Sequence, residues 1–197
     1  MNKIVDKEYF SENVVKFEVE APLIAKSRKA GHFVIVRVGE KGERIPLTIA
    51  ASDLNKGTIT IVIQAVGASS KKICELNVGD YITDIVGPLG QATHIENYGT
   101  VICAGGGVGI APMLPIIEAM KRAGNKVISV LAARNKDLVI LEKQVAEYSD
   151  EVIVMTDDGS YGHKGLITNG VEMVINREKV DLCVTIGPAI MMKFVSL

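Results

Sequence analysis

The sequence predicts two folds in succession: an N-terminal antiparallel β-barrel of Greek-key type and a C-terminal α/β domain built on a doubly wound parallel sheet. Three observations carry that expectation. Up to Val86 the chain runs in short alternating apolar and polar stretches broken by glycine and charged turns. From Thr100 the rhythm changes to strand, helix, strand, helix, and a polar stretch at residues 94–99 separates the two. Many short strands build barrels or sandwiches, whereas strands alternating with helices build a parallel sheet covered on both faces. The boundary is accordingly expected near residue 96, with domains at 1–96 and 97–197.

In the first part, residues 14–19 and 33–38 alternate with period two, the spacing of a half-buried strand. Residues 45–51, 58–64 and 81–86 are three further strands, with Gly39-Glu40-Lys41-Gly42 and Asn55-Lys56-Gly57 as turns. One helix interrupts them, from Ser69 to Leu76, stopped by Asn77-Val78-Gly79-Asp80. In the second part, strands at 101–104, 127–131, 152–155 and 182–186 alternate with helices at 112–122, 138–148 and 166–176. A last helix begins at Ala189 and reaches barely two turns before Leu197, so a further C-terminal segment is expected beyond this sequence.

Composition excludes several classes of function. Hydrophobic residues make up 48%, enough for a core without disulfides or a structural metal. Twenty-two basic and 23 acidic residues leave a net charge of −1 with no basic block, which argues against nucleic acid or an anionic membrane as partner. Aromatics are 5% and tryptophan is absent, so stacking platforms for single strands are few. Lys3, Asp6, Lys7 and Glu8 interrupt any signal-peptide core, and a cytoplasmic protein is expected. Cys74, Cys103 and Cys183 stand apart; the spacing suits neither a disulfide framework nor a metal site, and Cys103 and Cys183 are expected as buried thiols.

The strongest local signal is Ala104-Gly105-Gly106-Gly107-Val108-Gly109-Ile110-Ala111-Pro112, between a buried strand and a helix. Glycines let a backbone approach a pyrophosphate, and the helix start presents N–H groups to it. A turn without a ligand needs fewer glycines than Gly105, Gly106, Gly107 and Gly109 supply. No acidic ribose reader follows about twenty residues later. Arg134 ends the next strand instead, which leaves NAD and NADP both open. Asp157, Asp158, Gly159, Ser160 and Gly162 follow the third strand and Gly187-Pro188 the fourth, so these loops share one rim of the sheet. In the first part, Arg44 lies two residues before Pro46 and offers a cation to phosphate, while Thr48 offers a hydroxyl. Gly67-Ala68-Ser69-Ser70 opens the helix there with Ser69 or Ser70 as its cap.

Taken in order, Arg44-Ile45-Pro46-Leu47-Thr48, Gly67 to Ser70, Gly107-Val108-Gly109-Ile110-Ala111-Pro112 and Gly187-Pro188 resemble the ferredoxin–NADP reductase superfamily. Asp158-Gly159-Ser160-Tyr161-Gly162 and the stretch Ile186 to Met192 narrow the likeness. They resemble the small FAD subunits of NADH-dependent ferredoxin:NADP oxidoreductase, also called sulfide dehydrogenase β-type, with dihydroorotate dehydrogenase electron-transfer subunits close by. The resemblance implies that Arg44, Pro46, Leu47 and Thr48 line FAD, with Thr48 as the catalytic residue near flavin N5. It implies that Ile63, Gln64 and Ala65 follow the ribityl-diphosphate side, and that Gly67, Ser69 and Ser70 meet its phosphates. It places NAD(P)H on Gly105, Gly106, Gly107, Gly109, Pro112, Asp157, Gly159, Ser160, Gly187 and Pro188.

The implied activity is hydride transfer between NAD(P)H and FAD, followed by one-electron transfer to a larger iron–sulfur or flavin subunit and, indirectly, ferredoxin. Full-length members of the family carry a 2Fe–2S cluster in a cysteine-rich segment, for which this chain has no ligands. A dihydroorotate dehydrogenase subunit, or a non-catalytic flavin- or nucleotide-binding module, are the alternative readings.

Overall fold

Alternation of apolar and polar residues sends every second side chain to one face of a strand, and in the first ninety residues that face closes on itself. A computed structural model describes residues Met1–Leu197. The chain divides into two units, Met1–Thr93 and His94–Leu197. The first contains β1 (Asn2–Ser11), β2 (Val14–Glu20), α1 (Pro22–Ser27), β3 (Phe33–Arg37), β4 (Ile45–Asp53), β5 (Thr58–Gln64), α2 (Ala68–Cys74), β6 (Tyr81–Ile82) and β7 (Asp84–Leu89). Its strands pair antiparallel in the order β6-β1-β2-β5-β4-β3-β7. The two edge strands follow one another in the chain with only Thr83 between them, so the sheet curls into a nearly closed barrel. The Thr83 hydroxyl holds this corner by accepting the Gly39 N–H at 2.7 Å. Ile4, Phe17, Val19, Val34, Ile59 and Ile61 are wholly buried inside.

The second unit contains β8 (Thr100–Gly106), α3 (Ile110–Arg122), β9 (Lys126–Ala133), α4 (Glu142–Glu147), β10 (Glu151–Thr156), β11 (His163–Lys164), α5 (Ile167–Ile175), β12 (Leu182–Ile186) and α6 (Ala189–Val195). All five strands are parallel, in the order β11-β10-β9-β8-β12. Val101, Ile102, Cys103 and Ala104 are fully buried, as expected of a central strand covered on both faces. α3 packs on β8 and β9 together with α4, while α5 packs on β8, β9 and β10 and meets α6. Ile102, Val130, Met155, Val171 and Val174 form the core on the α5 side. No helix of either unit is long and apolar enough to cross a membrane.

Several expectations need correction. The strand read at 81–86 is two strands, because Thr83 turns the chain from one sheet edge to the other. α1 is a second helix in the barrel; at six residues, with Pro22 leading, it is too short to show a helical period. The helix read at 138–148 shrinks to Glu142–Glu147, since a single 3-10 turn at Lys136–Leu138 precedes it and Leu141 takes a left-handed φ of 59°. Cys183 is exposed, not buried, because β12 is an edge strand. Cys103, in the centre, is buried, and burial pushes its thiol up to about 12.

Candidate functional site

The barrel's ladder parts between β4 and β5, and the marked residues of the first unit gather there. β4 and β5 pair from Asp53↔Thr58 to Ile49↔Ile61, with a bulge between Ile49 and Ala51, and the pairing ends. Residues 45–48 continue beside β3 alone, from Ile45↔Val36 to Thr48↔Phe33. Residues 62–64 continue beside β2 alone, from Val62↔Lys16 to Gln64↔Val14. Strand edges that leave each other present backbone donors and acceptors to a third party.

Alternation decides what each residue offers. Ile45, Leu47 and Ala65 pack against the barrel core and Ile63 is 1% exposed within it, so these positions turn backbone rather than side chain outward. Pro46 and Thr48 lie on the opposite face of β4, and Gln64 is half-buried at the end of β5. The Thr48 hydroxyl and the Gln64 amide have no hydrogen-bond partner within the protein. Arg44 is 61% exposed, and its one ion pair, to Asp84 at 4.0 Å, is long. Asp84 is already engaged by Arg37, whose Nε donates to it at 2.6 Å. A pair so exposed contributes about 0–1 kcal/mol, which leaves Arg44 available for a phosphate.

The serines of 67–70 divide their tasks. Ser70 is 8% exposed, and its Oγ accepts the N–H groups of Val66 at 3.1 Å and Gly67 at 2.9 Å. Its hydroxyl therefore ties down the start of α2 and is not presented to a phosphate. Ser69 is partly exposed and donates to the Glu43 carboxylate. Opposite charges and hydroxyls far apart in sequence leave no spacing signature, so neither Glu43 nor Asp84 stood out before the fold was known.

The second unit's loops meet at the carboxyl ends of β8, β9, β10 and β12. The strand order reverses between β8 and β12, and such a switch point opens a ligand crevice. Packing explains most of the glycines there. A Cβ on Gly109 would lie 2.5 Å from the Ile186 carbonyl oxygen, and one on Gly106 would lie 2.3 Å from the Met191 sulfur. A Cβ on Gly105 would lie 3.2 Å from Ile110, and one on Gly187 2.6 Å from the Met191 methyl group. Gly107 differs: its φ is +56° and nothing lies within 4 Å of its Cβ direction. The glycine run is therefore a docking seam between the β8 and β12 loops, with Gly107 alone facing open space. Pro112 sits in the first turn of α3, where its missing N–H costs no helical bond.

After β10, the Asp157 and Asp158 N–H groups donate to the carbonyls of Ala133 at 3.1 Å and Arg134 at 3.2 Å, which locks this loop to the end of β9. The Ser160 hydroxyl donates to Asp158 at 2.7 Å and accepts the Lys136 N–H at 2.9 Å, so it braces the rim. The Ser160 hydroxyl and N–H hold the exposed Asp158 carboxyl below the usual carboxylate range. Gly159 and Gly162 have φ values of 77° and 64°, which explains glycine at these turns. The Asp157 and Arg134 side chains are exposed and make no hydrogen bond or ion pair within the protein.

Comparison with known proteins finds one domain family for each unit. An oxidoreductase FAD-binding domain family matches residues 2–94, and an oxidoreductase NAD-binding domain family matches residues 103–197. The whole chain is 44% identical to the dihydroorotate dehydrogenase B (NAD(+)) electron transfer subunit homolog of Thermotoga maritima and covers 70% of it. The chain belongs to this family of ferredoxin reductase-like electron-transfer subunits. The electron transfer subunit of dihydroorotate dehydrogenase B from Streptococcus pneumoniae is 31% identical over 98% of the chain and is covered to 76%. A solved structure of NADH-dependent reduced ferredoxin-NADP oxidoreductase, from work on flavin-based electron bifurcation, superposes with a TM-score of 0.93. It is 43% identical over 98% of this chain, which covers 70% of that one. Phthalate dioxygenase reductase, at 18% identity and a TM-score of 0.77, shares the fold.

As a member of this family the chain is an FAD- and NAD-binding oxidoreductase subunit. The residues present fit both groups. The open β4–β5 edges, the unpartnered Thr48 and Gln64 and the available Arg44 suit a planar ring carrying a diphosphate. The unpacked Gly107 at the switch point suits a second dinucleotide.

Proposed function

We propose that this subunit takes a hydride from NAD(P)H onto FAD and passes electrons singly to a larger iron–sulfur or flavin-containing subunit, and through it to ferredoxin. The observation that carries the reading is the parting of β4 from β5 beside Arg44, Thr48 and Gln64, on a chain whose other unit is a nucleotide-binding sheet. FAD, when bound, supplies a ring that accepts two electrons as hydride and releases them one at a time. The protein's share is to bind and orient. Arg44 and Ser69 hold the diphosphate, the backbone of residues 62–65 lies along the chain that joins it to the ring, and Pro46 and Thr48 border the ring. Thr48 is assigned as the catalytic contact, a hydrogen-bond donor to the ring that shapes how readily a hydride arrives. Gly105, Gly106, Gly107, Gly109, Pro112, Gly187 and Pro188 shape the nicotinamide dinucleotide's cradle, with Asp157, Gly159 and Ser160 on its rim.

The test is direct. Purified protein reconstituted with FAD is expected to be yellow, and NADH added without oxygen is expected to bleach it in a stopped-flow trace. A protein that takes up no FAD would sink the proposal. Slower bleaching in Thr48→Ala, by about tenfold or more, would place Thr48 at the reacting ring.

A second reading, in which this chain serves a partner that oxidises dihydroorotate, is supported by the 44% identity to a dihydroorotate dehydrogenase B (NAD(+)) electron transfer subunit homolog. Co-purification of the native complex, followed by assays with dihydroorotate and with ferredoxin as alternative electron partners, separates the two.

A further inference from the structure

The Ser69 hydroxyl is engaged by the Glu43 carboxylate, and Glu43 is the chain neighbour of Arg44. Glu43, Ser69 and Lys72 line one small hollow of the barrel with Val38, Gly42 and Ile73. An acid thus stands among the groups assigned to a diphosphate, where the chemistry of phosphate binding calls for cations and donors. A serine hydroxyl has a single proton. While Glu43 accepts it, a phosphate oxygen cannot. The carboxylate also repels a second anion and offsets part of the attraction of Lys72 and Arg44.

We infer that Glu43 is an anionic competitor built into the phosphate subsite, which holds the affinity for phosphate-bearing flavins below what Arg44, Ser69 and Lys72 would otherwise give. The inference deepens the flavin reading above and rests on it. Its signature is selective: it opposes the phosphates of a flavin and leaves the ring untouched. Release of Ser69 from Glu43 and capture by phosphate are one exchange of a hydrogen bond, with no net gain in bond number. The cofactor is then held mainly by its ring contacts and by Arg44.

The experiment titrates FAD and riboflavin into the full chain by flavin fluorescence, for the native protein, Glu43→Gln and Glu43→Ala. Both variants are expected to bind FAD about fivefold more tightly, the size of one exposed charge interaction, and riboflavin unchanged. In about 1 M salt, where charges are screened within a few ångströms, the gain should shrink. Ser69→Ala should leave FAD binding nearly unchanged in the native background, where its hydrogen bond is only exchanged, and remove part of the gain in the Glu43→Gln background. FAD affinity that stays the same or falls in both Glu43 variants overturns the inference, because Glu43 then orients Ser69 rather than competing for it. An equal gain for riboflavin overturns it too, since the effect would not lie at the phosphates. A native chain that binds riboflavin and FAD not at all overturns the flavin reading itself, and this outcome is distinct from the others.

Discussion

Asn125 is 2% exposed, and all of its side-chain polar capacity is used. Its Oδ1 accepts the N–H groups of Tyr98 at 2.7 Å and Gly99 at 3.1 Å, and its Nδ2 donates to the carbonyls of Glu96 at 2.8 Å and Met120 at 2.9 Å. One amide thereby ties the segment entering β8 to the end of α3. Asn125→Ala should leave buried backbone groups without partners and cost about 2–4 kcal/mol, read as a lower midpoint in urea unfolding. In the sequence this residue is only the last of Ala123-Gly124-Asn125, a helix stop, since nothing in a linear pattern says that a polar residue will be enclosed. The same limit separates the flavin-side residues. Alternation puts Ile63 inward and Gln64 outward on β5, yet a motif names both, so only the fold tells side-chain contact from backbone contact. Ser69 and Ser70 are equivalent as letters, and the turn of α2 gives one to Glu43 and the other to the backbone.

Among elements, the ones legible in advance were those whose packing repeats. Thr58–Gln64 and Leu182–Ile186 appear at the bounds their patterns predict: the first buries alternate residues along its whole length, and the second pairs with β8 at every residue from Leu182↔Val101 to Ile186↔Gly105. Elements decided by single residues were not legible: α1 has too few residues for a period, and Leu141 in a left-handed conformation cuts a helix that its apolar spacing would extend. The loop between β8 and α3 yields a paired prediction. Gly109→Ala places a methyl group 2.5 Å from the Ile186 carbonyl and should displace the β12 loop, destabilising the unit and abolishing nucleotide binding. Gly107→Ala meets open space, so it should cost only the left-handed backbone penalty, about 1–2 kcal/mol, with a smaller loss of NADH affinity. Thermal unfolding and NADH titration of the two variants side by side check this ordering.

The beginnings of β8 and β9 rest on carboxylates. Asp181 accepts the Thr100 N–H at 3.0 Å and Asp150 accepts the Val127 N–H at 2.8 Å. Lys121 beside Asp150 and Lys179 beside Asp181 hold these carboxyls below their ordinary values, helped by the backbone N–H groups. A depressed carboxylate pKa contributes stability that is fully present above the unfolded value, about 3.9, and lost as pH falls through the folded one. Stability of the second unit should therefore be flat near neutrality and decline below about pH 4. Asp150→Asn should flatten that decline, as followed by urea unfolding between about pH 3 and 6. The effect is modest because the Asp150 side chain is 37% exposed and solvent screens its ion pair.

At the scale of the molecule, the chain carries two separate hydrophobic cores, one inside the barrel and one between the parallel sheet and its helices. The FAD-binding family match stops at residue 94 and the NAD-binding match begins at 103, so each core coincides with one cofactor's domain. Two cores of this kind give each dinucleotide its own rigid platform, and the residues assigned to FAD all precede residue 73 while those assigned to the nucleotide all follow 104. Hydrogen exchange read by mass spectrometry should then give two distinct footprints. FAD alone should slow exchange at residues 44–48 and 62–70, where open strand edges gain partners. NAD alone should slow it at 105–109, 157–162 and 187–188, the carboxyl-end loops of the sheet. Arg44→Ala should weaken FAD by about tenfold to a hundredfold, the loss of a charge-assisted contact, and erase the first footprint. The NAD footprint should persist in that variant, because its backbone donors belong to the other core; its disappearance would mean that the nucleotide depends on the barrel for its platform.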